Sequence, residues 1–191
     1  EYDDVLSDKL NIFNQSETIT FKDKALALKN ALTKWGNVNF HIVCHSTGCG
    51  LGTFLAKNNE KNCKSIILIS PWNKKDDDFK LLQKRRIENA RTLDSISFLK
   101  SEYKLLYSPN YIEKFKIEFS NYISMQKNKK IDYSSIEKRL KIILDCNIGK
   151  ELYKLELPKL LINAVDDKLM KIHHGQKLNK ICKNSKLISL E

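Results

Sequence analysis

No apolar run in these 191 residues approaches the roughly 20 that a bilayer-spanning helix needs. The opening residues, EYDDVLSDKL, are acidic and polar, so they are not expected to be a secretory leader, which is basic and then apolar. A starting methionine is missing too, and the chain reads as beginning partway through a gene product. No C-x-x-C pair occurs among the five cysteines Cys44, Cys49, Cys63, Cys146 and Cys182. An odd number at wide spacing predicts reduced thiols in a cytoplasmic protein, not a disulfide framework or a zinc site. No cluster of candidate ligands stands out in the sequence, so neither a metal nor an organic cofactor is expected. Arginine is scarce, confined to Arg85, Arg86, Arg91 and Arg139, so the net charge of +11 rests on lysines spread along the chain. That spread predicts a solvated basic surface and not a nucleic-acid-binding face. Internal repeats and low-complexity tracts are absent as well.

What is present has the balance of a globular protein, with 41% hydrophobic and 30% charged residues. The length suits a single domain with a substantial core. Residues 17–35 (ETITFKDKALALKNALTKW) predict an amphipathic helix, with Ala25, Leu28, Ala31 and Leu32 on one face and Gly36-Asn37 closing it. VNFHIVCH follows as a β-branched apolar run, the pattern of a buried strand. Gly48, Gly50 and Gly52 open a helix ending near Lys57, and CKSIILISPW reads as a second buried strand stopped at Pro71.

Between Asn73 and about Gly149 the texture changes to heavy charge with helical periodicity and no strand candidates. The periodic segments are 79–107, 111–125 and 134–146, with Pro109 between the first two. LPKLLINAV then returns as a strand, HHGQKLNKIC as a helix and SKLISLE as a last strand. Alternation of this kind predicts an α/β fold: a mostly parallel sheet with helices on both faces. Residues 1–72 and 150–191 would form the core, and 73–149 a helical cap.

Ser46 sits where a buried strand meets a glycine-spaced helix, with Cys44 two residues before it and Gly48 two after. Small residues there allow a sharp, strained turn that lifts the hydroxyl clear of the sheet. The helix N-terminus beside it supplies free N–H groups for an oxyanion, the Thr47 N–H first among them. Asp167 follows a buried strand at its C-terminal end, where open α/β sheets hold their sites. A carboxylate there can orient a histidine and stabilise the imidazolium formed as a serine attacks. It can equally be a turn aspartate, because VDDK precedes a helix. Asp166, the neighbouring alternative, is read as a cap.

VCHSTGCGLG resembles the nucleophile elbow of the α/β-hydrolases of the single-domain esterase type, commonly G-H-S-x-G-G. LPKLLINAVDDKLM is similar to that family's later strand and acid loop, G-x-x-D-x-x-x-P. Aligning Ala164 with the glycine of that pattern puts the acid on Asp167. Cys44, Ala164 and Lys171 depart from the pattern, standing for glycine, glycine and proline. The resemblance covers about residues 17–191. Within the cap, RRIENARTLDSISFLKSEYKLLYSPNYI looks similar to the pyrimidine-utilisation aminoacrylate hydrolase group.

That resemblance implies a chain order of serine, acid, histidine. His41 lies within a strand, as a core or sheet-face residue. His45 precedes the nucleophile, where the family uses histidine for packing. His173 and His174 open a helix, where solvent exposure or capping is expected. None stands where the order requires a base. The family's histidine follows the strand matched here by SKLISLE, so it is expected just past Glu191. The first strands and the loop giving the second oxyanion N–H are also without a counterpart, so the chain is expected to be a fragment.

The function expected is a serine hydrolase acting on a small ester, amide or carbamate-like substrate through a Ser46 acyl-enzyme. As these 191 residues stand, they are expected to be inactive. A non-catalytic α/β-hydrolase-fold binding protein without the triad histidine is the alternative. The expected partner is a small molecule rather than nucleic acid or membrane. The cap aromatics from Phe98 to Tyr122 could line a pocket, but helical spacing equally suits packing.

Overall fold

The computed structural model describes residues 20–36, 38–126 and 132–191. The first residues of the expected 17–35 helix and Asn37 lie outside the described residues. Helix α1 runs Phe21–Leu32. Its start is set by a capping box. The Thr20 hydroxyl accepts the Asp23 N–H (3.3 Å) and the Asp23 carboxylate accepts the Thr20 N–H (2.9 Å). Strand β1 (Phe40–His45), helix α2 (Gly48–Asn58) and strand β2 (Cys63–Ile69) follow, as the sequence pattern predicts.

Two glycines explain how closely these elements approach. A Cβ on Gly52 would fall 2.8 Å from Cys44 Sγ, so the bare backbone lets α2 lie down on β1. A Cβ on Gly50 would meet the Phe21 ring at 2.8 Å and Trp72 at 3.0 Å, and this gap is what seats α1 on α2.

The stretch after β2 is helical throughout its described residues: α3 (Asp77–Thr92), α4 (Ser95–Leu106), α5 (Pro109–Lys114), α6 (Lys116–Gln126), α7 (Tyr133–Asp145) and α8 (Ile148–Leu152). The periodic segment 79–107 is two helices, not one. Leu93 is extended (φ −89°, ψ 149°), and the Asp94 carboxylate accepts the N–H groups of Ile96 (3.0 Å) and Ser97 (3.1 Å). An aspartate that caps so well starts a new helix despite uninterrupted periodicity. The segment 111–125 is interrupted at Phe115 (φ −112°, ψ 30°), which leaves α5 as a short helix with Pro109 in its first turn. Arg86 ties α3 to α4 from a buried position, bonding Glu102 (3.0 and 2.5 Å) and Gln83 (2.9 Å).

Strand β3 (Lys159–Ala164), helix α9 (Ile172–Ile181) and strand β4 (Ser185–Leu190) complete the chain. The four strands are all parallel, in the order β1-β2-β3-β4. The register puts Ile42, Ile66, Leu68 and Leu161 on one face, and all four are buried. Both α2 and α9 pack on that face, against Cys44 and Asn163 respectively. With Trp72, Ile148, Leu152, Leu155 and Leu178 these residues form the core.

β1 corrects the expectation of a buried strand. It is an edge strand, with His41 and His45 exposed and Val43 66% exposed on the face away from α2. Its β-branched composition suits burial on both faces, but among the described residues only the α2 face is covered.

Candidate active site

The ladder hydrogen bonds run past the ends of β1 and β2 and hold the turn that follows each. The Ser46 N–H donates to Ile69 O (2.8 Å), and the Ser70 N–H to Ile162 O (2.7 Å). Both serines are left-handed, Ser46 at φ 51° and Ser70 at φ 50°, a conformation that costs a serine energy and persists only where the surroundings enforce it. Cys44, in place of the elbow's first glycine, fits because its thiol turns toward α2 and donates to Ile67 O (3.3 Å). Thr47 is the N-cap of α2, and its N–H meets no acceptor among the described residues. It is a free donor beside the serine, at the positive end of the helix.

Ser46 opens onto a cleft of about 650 Å³. Asp166, Asp167 and Ala164 border it from the end of β3, Ser70 from the end of β2, and Leu105 to Ser108 from the helical insertion. The structure therefore brings Ser46 and Asp167 to one space, although 121 residues separate them. The Asp167 carboxylate is half-buried, and its Oδ1 accepts the N–H groups of Leu169 (2.9 Å) and Met170 (2.8 Å). Its Oδ2 takes no bond among the described residues and is open to accept one. The side-chain bonds of this turn are made by Asp167, reaching forward to residues 169 and 170, and the N-cap of α9 is Lys171, without a side-chain cap bond. Asp166 is exposed at the cleft rim.

No histidine among the described residues hydrogen-bonds Ser46 or Asp167. His45 borders the same cleft without reaching either. The exposed His41 bonds the Ser65 hydroxyl through Nδ1 at 2.7 Å. The other two depart from the expectation of exposure. His174 is only 2% exposed, and His173 is half-buried. They meet Asp76, the N-cap of α3, and with it border a separate cavity of about 200 Å³. Asp76 Oδ2 lies 2.7 Å from His173 Nε2, 3.9 Å from His174 Nε2 and 3.7 Å from Lys177 Nζ. Burial holds the His174 pKa down at about 4, with His173 beside it adding to the effect. Burial pushes the Asp76 carboxyl up, but the Phe79 N–H and the two histidines outweigh it, and the net shift is downward.

Asp76, His173 and His174 thus form a cluster that the sequence reading did not anticipate, with ligand atoms all within 4.8 Å of one another. The tautomer argues against a metal there. His174 Nδ1 accepts the Asn73 N–H (3.5 Å), so in the neutral ring Nε2 carries the proton and points a donor at Asp76. A metal would need the lone pair on that nitrogen and would leave the Asn73 N–H unpaired. The cluster is a hydrogen-bonded latch between the insertion and α9. Because 97 residues separate Asp76 from His173, no spacing in the sequence could have shown it.

No helix among the described residues is long and apolar enough to cross a membrane. None of the curated proteins matches the chain in sequence. Among solved structures, the chain is similar to MGS-M2, an alpha/beta hydrolase enzyme from a Medee basin deep-sea metagenome library. That likeness has a TM-score of 0.79 and 18% identity, over 90% of this chain and 63% of that one. It is also similar to the enol-lactonase from Burkholderia xenovorans LB400 (TM-score 0.74, 13% identity, 91% of this chain, 65% of that one). An esterase from Exiguobacterium antarcticum gives a TM-score of 0.69 at 16% identity, over 90% of this chain and 65% of that one. The chain therefore spans a little under two thirds of the length of these structures, and likeness at such identity speaks for the fold alone. The family described as the alpha/beta hydrolase fold matches residues 16–191, nearly the whole sequence. A parallel sheet with a strained serine between strand and helix, together with that match, places the chain in the alpha/beta hydrolase fold family.

Proposed function

We propose that the cleft belongs to a serine hydrolase that cleaves a small ester, amide or carbamate-like bond through an acyl-enzyme on Ser46. One observation carries this reading. The left-handed Ser46 at the head of α2 shares a cleft with Asp167, whose Oδ2 takes no bond among the described residues. In the reaction, the Ser46 hydroxyl adds to the carbonyl carbon while its proton passes to an imidazole. The leaving group then takes that proton as the carbonyl re-forms, and water repeats the sequence to free the acid. The Thr47 N–H meets the carbonyl oxygen as it becomes an oxyanion. Asp167 orients the imidazole through Oδ2, while Oδ1 stays fixed by its two backbone bonds.

The imidazole is proposed to come from a histidine other than the four in these 191 residues. His41, His173 and His174 are engaged elsewhere, and His45 bonds neither partner. The lactonase and esterase among the similar structures favour an ester-like bond.

The test is labelling by a fluorophosphonate, which reacts only with an activated serine. In the whole natural protein Ser46 is labelled, and Ser46→Ala abolishes the labelling. These 191 residues alone label poorly, because a serine without a base keeps its ordinary high pKa. No labelling of Ser46 in the whole protein would overturn the nucleophile. Efficient labelling of the 191 residues would show that one of their own groups is the base.

A further inference from the structure

A second trough lies on the helical insertion, between α4, α5 and α6, with a volume of about 520 Å³. Its walls are six aromatic rings, those of Tyr103, Tyr107, Tyr111, Phe115, Phe119 and Tyr122, and one charged side chain, Glu118. The rings form a continuous set. Tyr107 stacks on Tyr111 at 5.3 Å and 11°, Phe115 lies 4.5 Å from Tyr111, and Tyr103 lies 4.7 Å from Phe119. Tyr107 also borders the cleft of Ser46 and Asp167, so that one ring is common to the linings of both spaces.

We propose that this trough takes an organic ammonium group, a quaternary or methylated amine, carried by the molecule whose bond is cleaved at Ser46. The proposal rests on the reading of that cleft as an acyl-transfer site. Ring faces carry negative charge density and attract a cation held within about 6 Å. A carboxylate among them adds a full charge of the same sign. The charged side chain in the lining, Glu118, is acidic and favours a cation, against the opposing charge of Lys114 at the Phe115 ring. A neutral apolar group would cover the Glu118 carboxylate without pairing it, which costs free energy. An anion would be repelled outright. The half-buried Phe115 ring already meets an ammonium of the chain itself, with Lys114 Nζ 5.3 Å from its centroid. A group seated in the trough would lie against Tyr107, the ring that also borders the cleft of the serine.

Choline and 3,3-dimethylbutan-1-ol have nearly the same shape and differ by one charge, so they form the test pair. Each is titrated into the protein, and binding is followed by NMR shifts of the tyrosine rings. Choline is expected to bind about tenfold more tightly than the neutral alcohol. Glu118→Gln should weaken choline about fivefold and leave the alcohol unchanged, and Tyr111→Leu should weaken choline by a similar factor. Both residues are exposed, and unchanged circular dichroism confirms that the variants are folded. Equal affinity for the two compounds would overturn the proposal in favour of a plain apolar trough. Absence of saturable choline binding, or binding untouched by both substitutions, would overturn it as well. No bond is broken in this experiment, so its failure leaves the Ser46 reading intact, and failure of fluorophosphonate labelling leaves the trough result intact.

Discussion

Replacing His174 with glutamine should remove an acid-sensitive share of the protein's stability. The ring is 2% exposed and faced on every side. Asp76, Phe79 and the Asn73 N–H lie on the insertion side, and His173, Lys177 and Lys171 on the side of α9. Burial is the largest cause of its low pKa, His173 the next, and the two lysines add to them, while Asp76 opposes. The folded-state value of about 4 lies below the ordinary 6.5. Between those two values the unfolded chain holds a proton that the folded chain refuses, so stability falls as pH drops from about 6.5 to about 4. At about 1.4 kcal/mol for each pH unit, the full interval corresponds to about 3 kcal/mol. Local relaxation around a protonated ring recovers part of that, so about 2 to 3 kcal/mol is expected.

Glutamine can still accept the Asn73 N–H and cannot take a proton. Urea denaturation of wild type and His174→Gln, from about pH 7 down to about pH 4, isolates the histidine because the other groups titrate in both proteins. The variant should be the less stable protein near neutrality and should gain about 2 to 3 kcal/mol on wild type as the pH falls. A stability difference that stays constant across the range would refute the reasoning, because His174 would then not be held neutral by the fold.

Two further substitutions probe the frame around the sites. Gly175→Ala would place a Cβ 2.1 Å from Asn163 Oδ1, and both residues are buried, so α9 must lift from β3 at a cost of about 1–3 kcal/mol. An unchanged thermal midpoint would show that α9 sits more loosely than this contact implies. Glu102→Gln leaves the buried Arg86 guanidinium without its counter-charge and should cost about 3 kcal/mol in urea denaturation, most of it recovered in the double variant Arg86→Met/Glu102→Leu. Retention of full stability by the single variant would mean that water, not Glu102, satisfies Arg86.

What the sequence makes legible follows the range of the physics. The strands of the core are short apolar runs between turn residues, and every one falls within a few residues of its predicted place. The break at Asp94 is local too, but its signal, an aspartate before Ser-Ile-Ser, competes with unbroken helical periodicity, and the capping hydrogen bonds win. The exposed face of β1 could not be read, because composition reports what a strand is suited to and not which neighbours cover it. Ser46 was legible because strand, small residues and helix all lie within a dozen positions. Asp167 was singled out by its position after a strand and by the acid-loop resemblance, and the structure brings it to the cleft of Ser46. Which of the pair, Asp166 or Asp167, takes the turn's hydrogen bonds could not be read from the sequence, and those bonds go to Asp167. Asp76 with His173 and His174, and the aromatic trough that shares Tyr107 with the cleft, depend on how the insertion lies over the core. No pattern of residue spacing carries that.

The paired strain at Ser46 and Ser70 is the last step from fold to chemistry. A parallel ladder in register sets His45 beside Ile69, so the residues that follow, Ser46 and Ser70, leave the sheet side by side. Each has its N–H bound to the neighbouring strand, at 2.8 and 2.7 Å, and each turns left-handed at the next bond. An isolated serine would relax from that conformation, since it costs of order 1–3 kcal/mol. Here relaxation would break the ladder bond and withdraw the head of α2 from its seat on Cys44, so the sheet enforces the strain. The same bonds that bury the apolar strands thereby hold a hydroxyl at the mouth of the cleft, with the free Thr47 N–H next to it. The site's precision comes from the core's rigidity, and a substitution that loosens the ends of β1 or β2 should therefore reduce Ser46 reactivity before it unfolds the protein.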